Sequence, residues 1–281
     1  MRKVEKKLSN RTLHYWQYGS YIEFLNDIEN RTTQNEREET IRDNGYDWTG
    51  VRSYDEARNL LLNGWKREVE LFKSETKKEL DKCDTRKVVK YFDDVCGFAP
   101  IVPNAIMGLP NSMINNRVEQ KKSKIIKFLI AVNRSCSYGS REIIEKMSKI
   151  LARIIVLENN GYRCRLEIAG SFSSKYGTKP IVMFSTLIKS ENQPIDMTRL
   201  AFPIVHSAMQ RAIAFNREKH LPGFDNYWSY HESGLGQSLQ YWGKEQRQEV
   251  LNAINERNEK IIFVGMETDI EKELGEVVLG K

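Results

Sequence analysis

Ile125-Ile126-Lys127-Phe128-Leu129-Ile130-Ala131-Val132 is an almost unbroken apolar run of strand length, and it stops abruptly at the polar turn Asn133-Arg134-Ser135-Cys136-Ser137-Tyr138-Gly139. Side chains alternate between the two faces of a strand, so a run that is apolar at successive positions suits a strand covered on both sides. Ser140 offers a capping hydroxyl to the helix expected next, whose apolar residues Ile143, Ile144, Met147, Ile150, Leu151, Ile154 and Ile155 recur at helical spacing. Gly161 supplies a left-handed position to end that helix, and Arg163–Ile168 reads as a second strand. Strand, loop, helix and strand within one crossover length predict a right-handed parallel unit. Open sheets of this kind bind ligands at the carboxyl ends of their strands, which here means the Asn133–Gly139 loop.

Around this unit the 281 residues are long enough to bury a full core. The reading is an α/β (α+β) chain with a central mixed sheet flanked by helices, divided into a mainly helical N-terminal region packed on the core, residues 1–116, and a core domain, residues 117–281. Capping boxes at Ser20/Glu23 and Ser53/Glu56 start two N-terminal helices, with Gly64 closing the second and Trp65 beginning a third through Val69, Phe72 and Leu80. Tyr15, Trp16 and Tyr18 sit in a polar context ahead of the first. Arg31–Asn44 is charged and nearly without apolar residues, so it reads as a linker or an exposed helix that packs little. Val88–Val95 has strand propensity, Gly97–Pro110 reads as an irregular loop, and Asn111–Ile114 as one helical turn. The Gly170–Lys179 loop joins Arg163–Ile168 to an antiparallel strand over Ile181–Ile188. Asp196 caps a helix that Pro203 kinks or splits, Leu221–Gly243 is a long aromatic loop, Lys244–Asn258 a helix and Ile261–Val264 a last strand.

Charge distribution bears on function more directly than the net +6 does. Residues 1–116 hold 19 Lys+Arg against 19 Asp+Glu, residues 117–190 hold 15 against 5, and residues 191–281 hold 10 against 14. The excess falls on the strand–helix–strand unit, where it would attract a polyanion such as nucleic acid; a solvated basic surface is the plainer alternative. No apolar run reaches membrane-spanning length and no hydrophobic segment follows Met1–Lys7, so a cytoplasmic protein with no membrane partner is expected. The four cysteines have no C-x-x-C spacing, which predicts reduced thiols rather than a zinc ribbon or a redox motif.

Trp48–Ala57 with Asn63-Gly64-Trp65, Ala152-Arg153 with Leu157–Arg163, and Asp196–Phe202 with His206 and Arg211 together resemble a family of phage-encoded proteins over residues 46–220, although Ser207 stands where that pattern has proline. In size, basic character and lack of an OB-fold pattern the chain is also similar to the single-stranded-DNA-binding RNA polymerase cofactors of N4-like phages. That resemblance implies a protein that captures unpaired DNA and recruits a phage RNA polymerase. The order strand, Asn133-x-Ser135-x-Ser137, helix, strand, short edge strand loosely resembles a von Willebrand factor A domain. Such domains hold Mg²⁺ through Asp-x-Ser-x-Ser; Asn133 lacks the anionic oxygen and Arg134 adds positive charge, so neither a metal nor any other cofactor is expected.

Single strands are held by cations along the phosphates and by aromatic faces on which bases stack. The candidate binding residues are Lys121, Lys122, Lys124, Arg134, Tyr138, Arg141, Arg163, Arg165, Phe172, Lys175, Tyr176 and Lys179, of which Arg163 and Arg165 share one face of a strand. For Phe172 and Tyr176, packing in the core competes with stacking. No Gly-x-Ser-x-Gly, phosphate-cradling glycine loop or His-Glu-x-x-His occurs, so no catalytic residues are assigned and no enzyme is expected. His206, on an apolar helix, reads as a core histidine. The expected partners are single-stranded DNA, a phage RNA polymerase and further copies of the chain. The alternative is a host-takeover or counter-defence protein that binds only protein, through the aromatic Leu221–Gly243 stretch.

Overall fold

The computed structural model describes residues 1–66, 69–83, 92–97, 99–115, 124–135, 137–172, 180–220 and 238–278. Its strands, in chain order, are β1 (Arg2–Lys7), β2 (Thr12–Tyr18), β3 (Phe92–Asp94), β4 (Ala99–Pro100), β5 (Met113–Asn115), β6 (Ile125–Ala131), β7 (Arg163–Phe172), β8 (Ile181–Lys189) and β9 (Lys260–Val264). The helices are α1 (Tyr21–Arg31), α2 (Gln34–Thr49), α3 (Tyr54–Asn63), α4 (Val69–Asp81), α5 (Val102–Ile106), α6 (Ser140–Asn159), α7 (Met197–Val205), α8 (Phe215–Glu218), α9 (Lys244–Ile254) and α10 (Ile270–Val278). A π-helical turn, Met209–Ala214, leads into α8.

One mixed sheet runs in the order β1-β2-β8-β7-β6-β9, and β3-β5-β4 form a separate small sheet. β6 is interior, parallel to β7 on one side and to β9 on the other. Its Ile126, Phe128, Ile130 and Val132 join a core with Ile143, Met147, Ile150, Leu151 and Ile154 of α6, while Leu129 and Ala131 meet Leu251 and Ile254 of α9 on the opposite face. Each such side chain removed from water contributes about 1.5–3 kcal/mol, so covering both faces is what fixes β6 in the middle. Helices α1, α3, α4, α6, α7 and α10 contribute to the first core. Gly161, at φ 88°, takes the left-handed position after α6. The cap before α6 is Gly139, which makes no side-chain bond; Ser140 is already the first helical residue, too far along to cap.

Several expectations are corrected. Ahead of α1, where no element is assigned from sequence, lie two strands: β1 and β2 pair antiparallel, and β2 pairs parallel with β8. Tyr15 faces one side of the sheet while Trp16 and Tyr18 pack into the first core, so aromatics in a polar setting mark a strand here. The N-terminal region therefore adds strands to the sheet as well as helices against it. β8 does pair antiparallel with β7, but β2 occupies its outer side, and it is not an edge strand. Arg31–Asn44 mostly belongs to α2, begun by a Thr33/Glu36 capping box, anchored by buried Ile41 and turned at Gly45 (φ 72°). Within Gly97–Pro110 lie β4 and α5, and Met113–Asn115 is strand β5 rather than a helical turn because it pairs with β3 and β4. Asp196 caps α7 by accepting from Thr198 and Arg199 N–H groups, and the helix ends at His206, soon after Pro203. Residues 221–237 and 173–179 lie outside the described residues.

At Gly170, on β7, an added Cβ would fall inside the edge of the Phe184 ring and 2.9 Å from Glu218 Oε1, whereas at Gly139 it would meet nothing. Gly170→Ala should therefore lower the urea midpoint by the equivalent of about 1–3 kcal/mol, as overpacking does, with Gly139→Ala costing only the smaller loss of an N-cap glycine, about 0.5–1 kcal/mol. Equal midpoints for the two variants would contradict this packing.

Candidate nucleic-acid interface

β6, β7 and β9 are parallel, so their amino ends share one edge of the sheet. Register places Lys260, the first residue of β9, opposite Ile126, and Arg163, the first of β7, opposite Ile125. Lys124 lies immediately ahead of β6 and accepts the Arg163 N–H through its carbonyl. Lys260, Lys124 and Arg163 are all exposed at one end of three strands about 5 Å apart, with the alternation of each strand directing Lys260 and Lys124 toward the α6 face and Arg163 toward the α9 face. Arg163 also donates to Asn192 Oδ1 at 2.7 Å.

One step further along, on the face that carries α9, Arg165 of β7 stands opposite Lys127 of β6. Both reach Glu167, at 2.9 Å each, and Glu167 also accepts from Gln17 (3.1 Å) and Ser185 (2.6 Å). Tyr15 OH extends the network to Ser185 Oγ at 2.5 Å. Burial pushes the Glu167 carboxyl up, but the Lys127 charge, the Ser185 hydroxyl and Arg165 outweigh it and hold the group below the ordinary carboxylate range. Burial likewise lowers Lys127, opposed only in part by Glu167. A notch beside this network is lined by Arg2, Gln17, Lys127, Arg165, Arg257 and Glu259, among others.

The candidates at the carboxyl end turn inward instead. Arg134 donates to the Ile204 carbonyl and Gln210 clamps its backbone, and burial followed by the nearby Arg211 charge lowers it to about 10. Its guanidinium serves the fold. Phe172 is 1% exposed and packs in the first core, so it is a packing residue and not a stacking platform. Tyr138 donates to Glu267, a hydrogen bond that raises it to about 12, and Arg141 pairs with Glu145 one turn along α6. Asn133 donates to Glu218 (3.1 Å) and accepts from Ser171 N–H (2.8 Å), tying this loop to β7. The structure thus brings Lys124, Arg163 and Arg165 together, and separates them by the length of the sheet from Arg134, Tyr138, Arg141 and Phe172. Lys121, Lys122, Lys175, Tyr176 and Lys179 lie outside the described residues.

The motif residues between 46 and 65 meet the end of α7. Gly50 (φ 78°) lies against His206 and Ser207, Ser207 donates to the Thr49 carbonyl at 3.0 Å, and Arg211 lies 4.6 Å from the Trp48 ring centroid. His206 packs on Phe202 and edge-on to Trp65, with ring centroids 4.9 and 4.8 Å away. Burial lowers it to about 4. A cleft of about 470 Å³ opens beside this knot.

A profile of the DUF7192 family, a domain of unknown function, matches residues 4–278. The chain belongs to the DUF7192 family. The match runs from β1 to α10, so the N-terminal hairpin, the small sheet and the main sheet all fall within one family unit. No curated protein and no solved structure matches it.

In this DUF7192 chain, sequence reasoning overlooked Lys127, Glu167 and Lys260. The signal was present, since Lys127 and Glu167 each interrupt a buried apolar strand and such charges need each other. Two further buried groups set opposite pH responses. His206, at about 4, is depressed from about 6.5, so its unfolded form binds more protons and stability falls as pH drops through that window. Glu218, raised to about 7 chiefly by burial, binds its proton more tightly when folded, so stability falls as pH rises from about 4.5 to 7. Each effect is worth at most about 3 kcal/mol from the size of its shift, and they oppose between pH 4.5 and 6.5. Urea titrations should accordingly show Glu218→Gln gaining stability with rising pH more steeply than the unsubstituted chain, and His206→Gln losing it. Parallel pH profiles for all three would refute both assignments.

Proposed function

We propose that the chain binds single-stranded DNA without strong sequence preference and serves as a cofactor for a phage RNA polymerase, in the cytoplasm of the infected cell. The observation that carries the DNA part is the exposed row Lys260, Lys124 and Arg163 across three parallel strands, adjoining Arg165 and Lys127. Three exposed cations at the ends of adjacent strands, projecting toward both faces of that edge, suit an extended polyanion passing over the end of the sheet better than a single compact anion. Lys121 and Lys122 precede Lys124 in sequence and add to the local charge. The polymerase part is supported by the resemblance described above.

With three to four phosphates neutralised, log affinity should fall against log salt with a slope of about −2 to −3, at about −0.7 per contact. Replacing Lys124, Arg163 and Lys260 together by alanine should flatten that slope by about two units, whereas Arg141→Ala, at the opposite end, should leave it unchanged. Salt-insensitive binding, a preference for duplex, or an unaltered slope in the triple variant would overturn the proposal.

A specific observation favours a second reading, binding to protein. From Val95 to Asn116 the sequence contains no Asp, Glu, Lys or Arg, and there Ile106 and Met107 are 80% and 65% exposed, accompanied by exposed Val95, Val102 and Leu109. Clustered exposed apolar side chains of this kind mark interaction surfaces. If that surface alone carries function, homopolymer oligonucleotides will give no gel shift even at low salt.

A further inference from the structure

The cleft beside His206 has a lining that no part of the DNA-backbone reading uses. Glu56, Asn59 and Asn63 stand at helical spacing on one face of α3 and form one wall, Trp65 and Tyr46 add aromatic surface, and His206 at the end of α7 lies on the other side. At about 470 Å³ it lies within the range of small-molecule sites.

The polar atoms of this lining are already oriented. Asn63 Nδ2 donates to Asn59 Oδ1, which leaves Asn63 Oδ1 as an acceptor and the Asn59 amide N–H groups as donors, side by side. Glu56 accepts the Arg52 N–H at 2.7 Å through Oε2, leaving Oε1 with acceptor capacity. His206 accepts the Ala208 N–H through Nδ1 at 3.0 Å, so a neutral ring carries its proton on Nε2 as a further donor. Lys66 is exposed at the rim. A bare phosphate would be opposed by Glu56, and an apolar ligand would leave the amides unpaired. A planar group that carries both amino donors and ring acceptors, joined to an anionic tail, satisfies all of them.

We propose that this cleft takes a nucleobase, with Asn59 and Asn63 reading its hydrogen-bonding edge, the aromatic side chains flanking its plane, and Lys66 near its phosphate. The inference deepens the single-strand reading by adding a pocket for one unstacked base, and it also stands if the chain binds free nucleotides only.

Calorimetric titration with AMP and CMP, beside ribose 5-phosphate, tests it. AMP or CMP should bind, ribose 5-phosphate should bind at least tenfold more weakly, and the Asn59→Leu/Asn63→Leu double variant should lose at least tenfold in nucleotide affinity. Asn63→Gln, which keeps both the amide donor and the acceptor without adding charge, should lose less; both sites are exposed, and circular dichroism checks that each variant is folded. Equal affinity for AMP and ribose 5-phosphate, or equal nucleotide affinity in the double variant, overturns the pocket. The two readings separate cleanly. Oligonucleotide binding that is unaltered in the double variant, with no mononucleotide binding, removes the pocket and leaves the basic edge, whereas mononucleotide binding without any oligonucleotide shift keeps the pocket and removes the edge.

Discussion

Lys127 sits in the middle of the most buried strand of the sheet, and its ion pair with Glu167 at 2.9 Å constrains much of what surrounds it. An ion pair of this kind adds little net stability, since removing two charges from water offsets most of their attraction, but losing one partner would leave a buried charge at a cost of about 3–5 kcal/mol. Its consequence is register. A slip of one residue between β6 and β7 would part Lys127 from Glu167 and turn it into the apolar core formed by Phe128, Ile130 and α6. With that slip excluded, the same pairing aligns Lys124 with Arg163 at one edge and brings Asn133 to Ser171 at the other.

The β6, α6, β7 and β8 succession was legible because each segment is long, strongly apolar and bounded by polar or glycine-containing turns. Mixed α/β architecture with an interior β6 followed from that alone. The N-terminal hairpin was not legible, because β1, Arg2–Lys7, is dominated by charged residues and lies at the sheet edge, where one side of the strand faces solvent. Its partner β2 is recognisable only through contacts with β8, which are remote in sequence. The same limit applies to β5, whose three residues become a strand only by pairing on both sides.

For the site, residue type was more legible than direction. Arg134 and Arg163 look alike in sequence, yet one reaches a backbone carbonyl inside the protein and the other meets solvent, because a loop residue's direction depends on the helix it packs beneath. Phe172 could have been placed by parity: Cys164, Leu166 and Ile168 point into the first core, and Phe172 continues their alternation once β7 is taken to its full ten residues. The α3 wall of the cleft was also readable in principle, since Glu56, Asn59 and Asn63 recur on one helical face. What spacing could not supply is the end of α7 that closes the cleft from more than 140 positions away in sequence.

Several cations of the 117–190 segment are held within the fold: Lys127 and Arg165 by Glu167, Lys189 by Glu158, Arg153 by Glu271 and Arg134 by a carbonyl. The formal excess therefore overstates the field available to a polyanion, while Lys124 and Arg163 of the same segment are exposed at the amino edge of the sheet beside Lys260. The charge-free Val95–Asn116 stretch precedes that edge in the chain and would associate by a different force. Added salt screens phosphate contacts over about 8–10 Å, whereas apolar burial is not weakened in this way and excluded salts such as sulfate strengthen it. On the two proposed readings, the two surfaces would respond oppositely to the same ions, so salt dependence separates contact with DNA from contact with a protein even though a short stretch of sequence connects them.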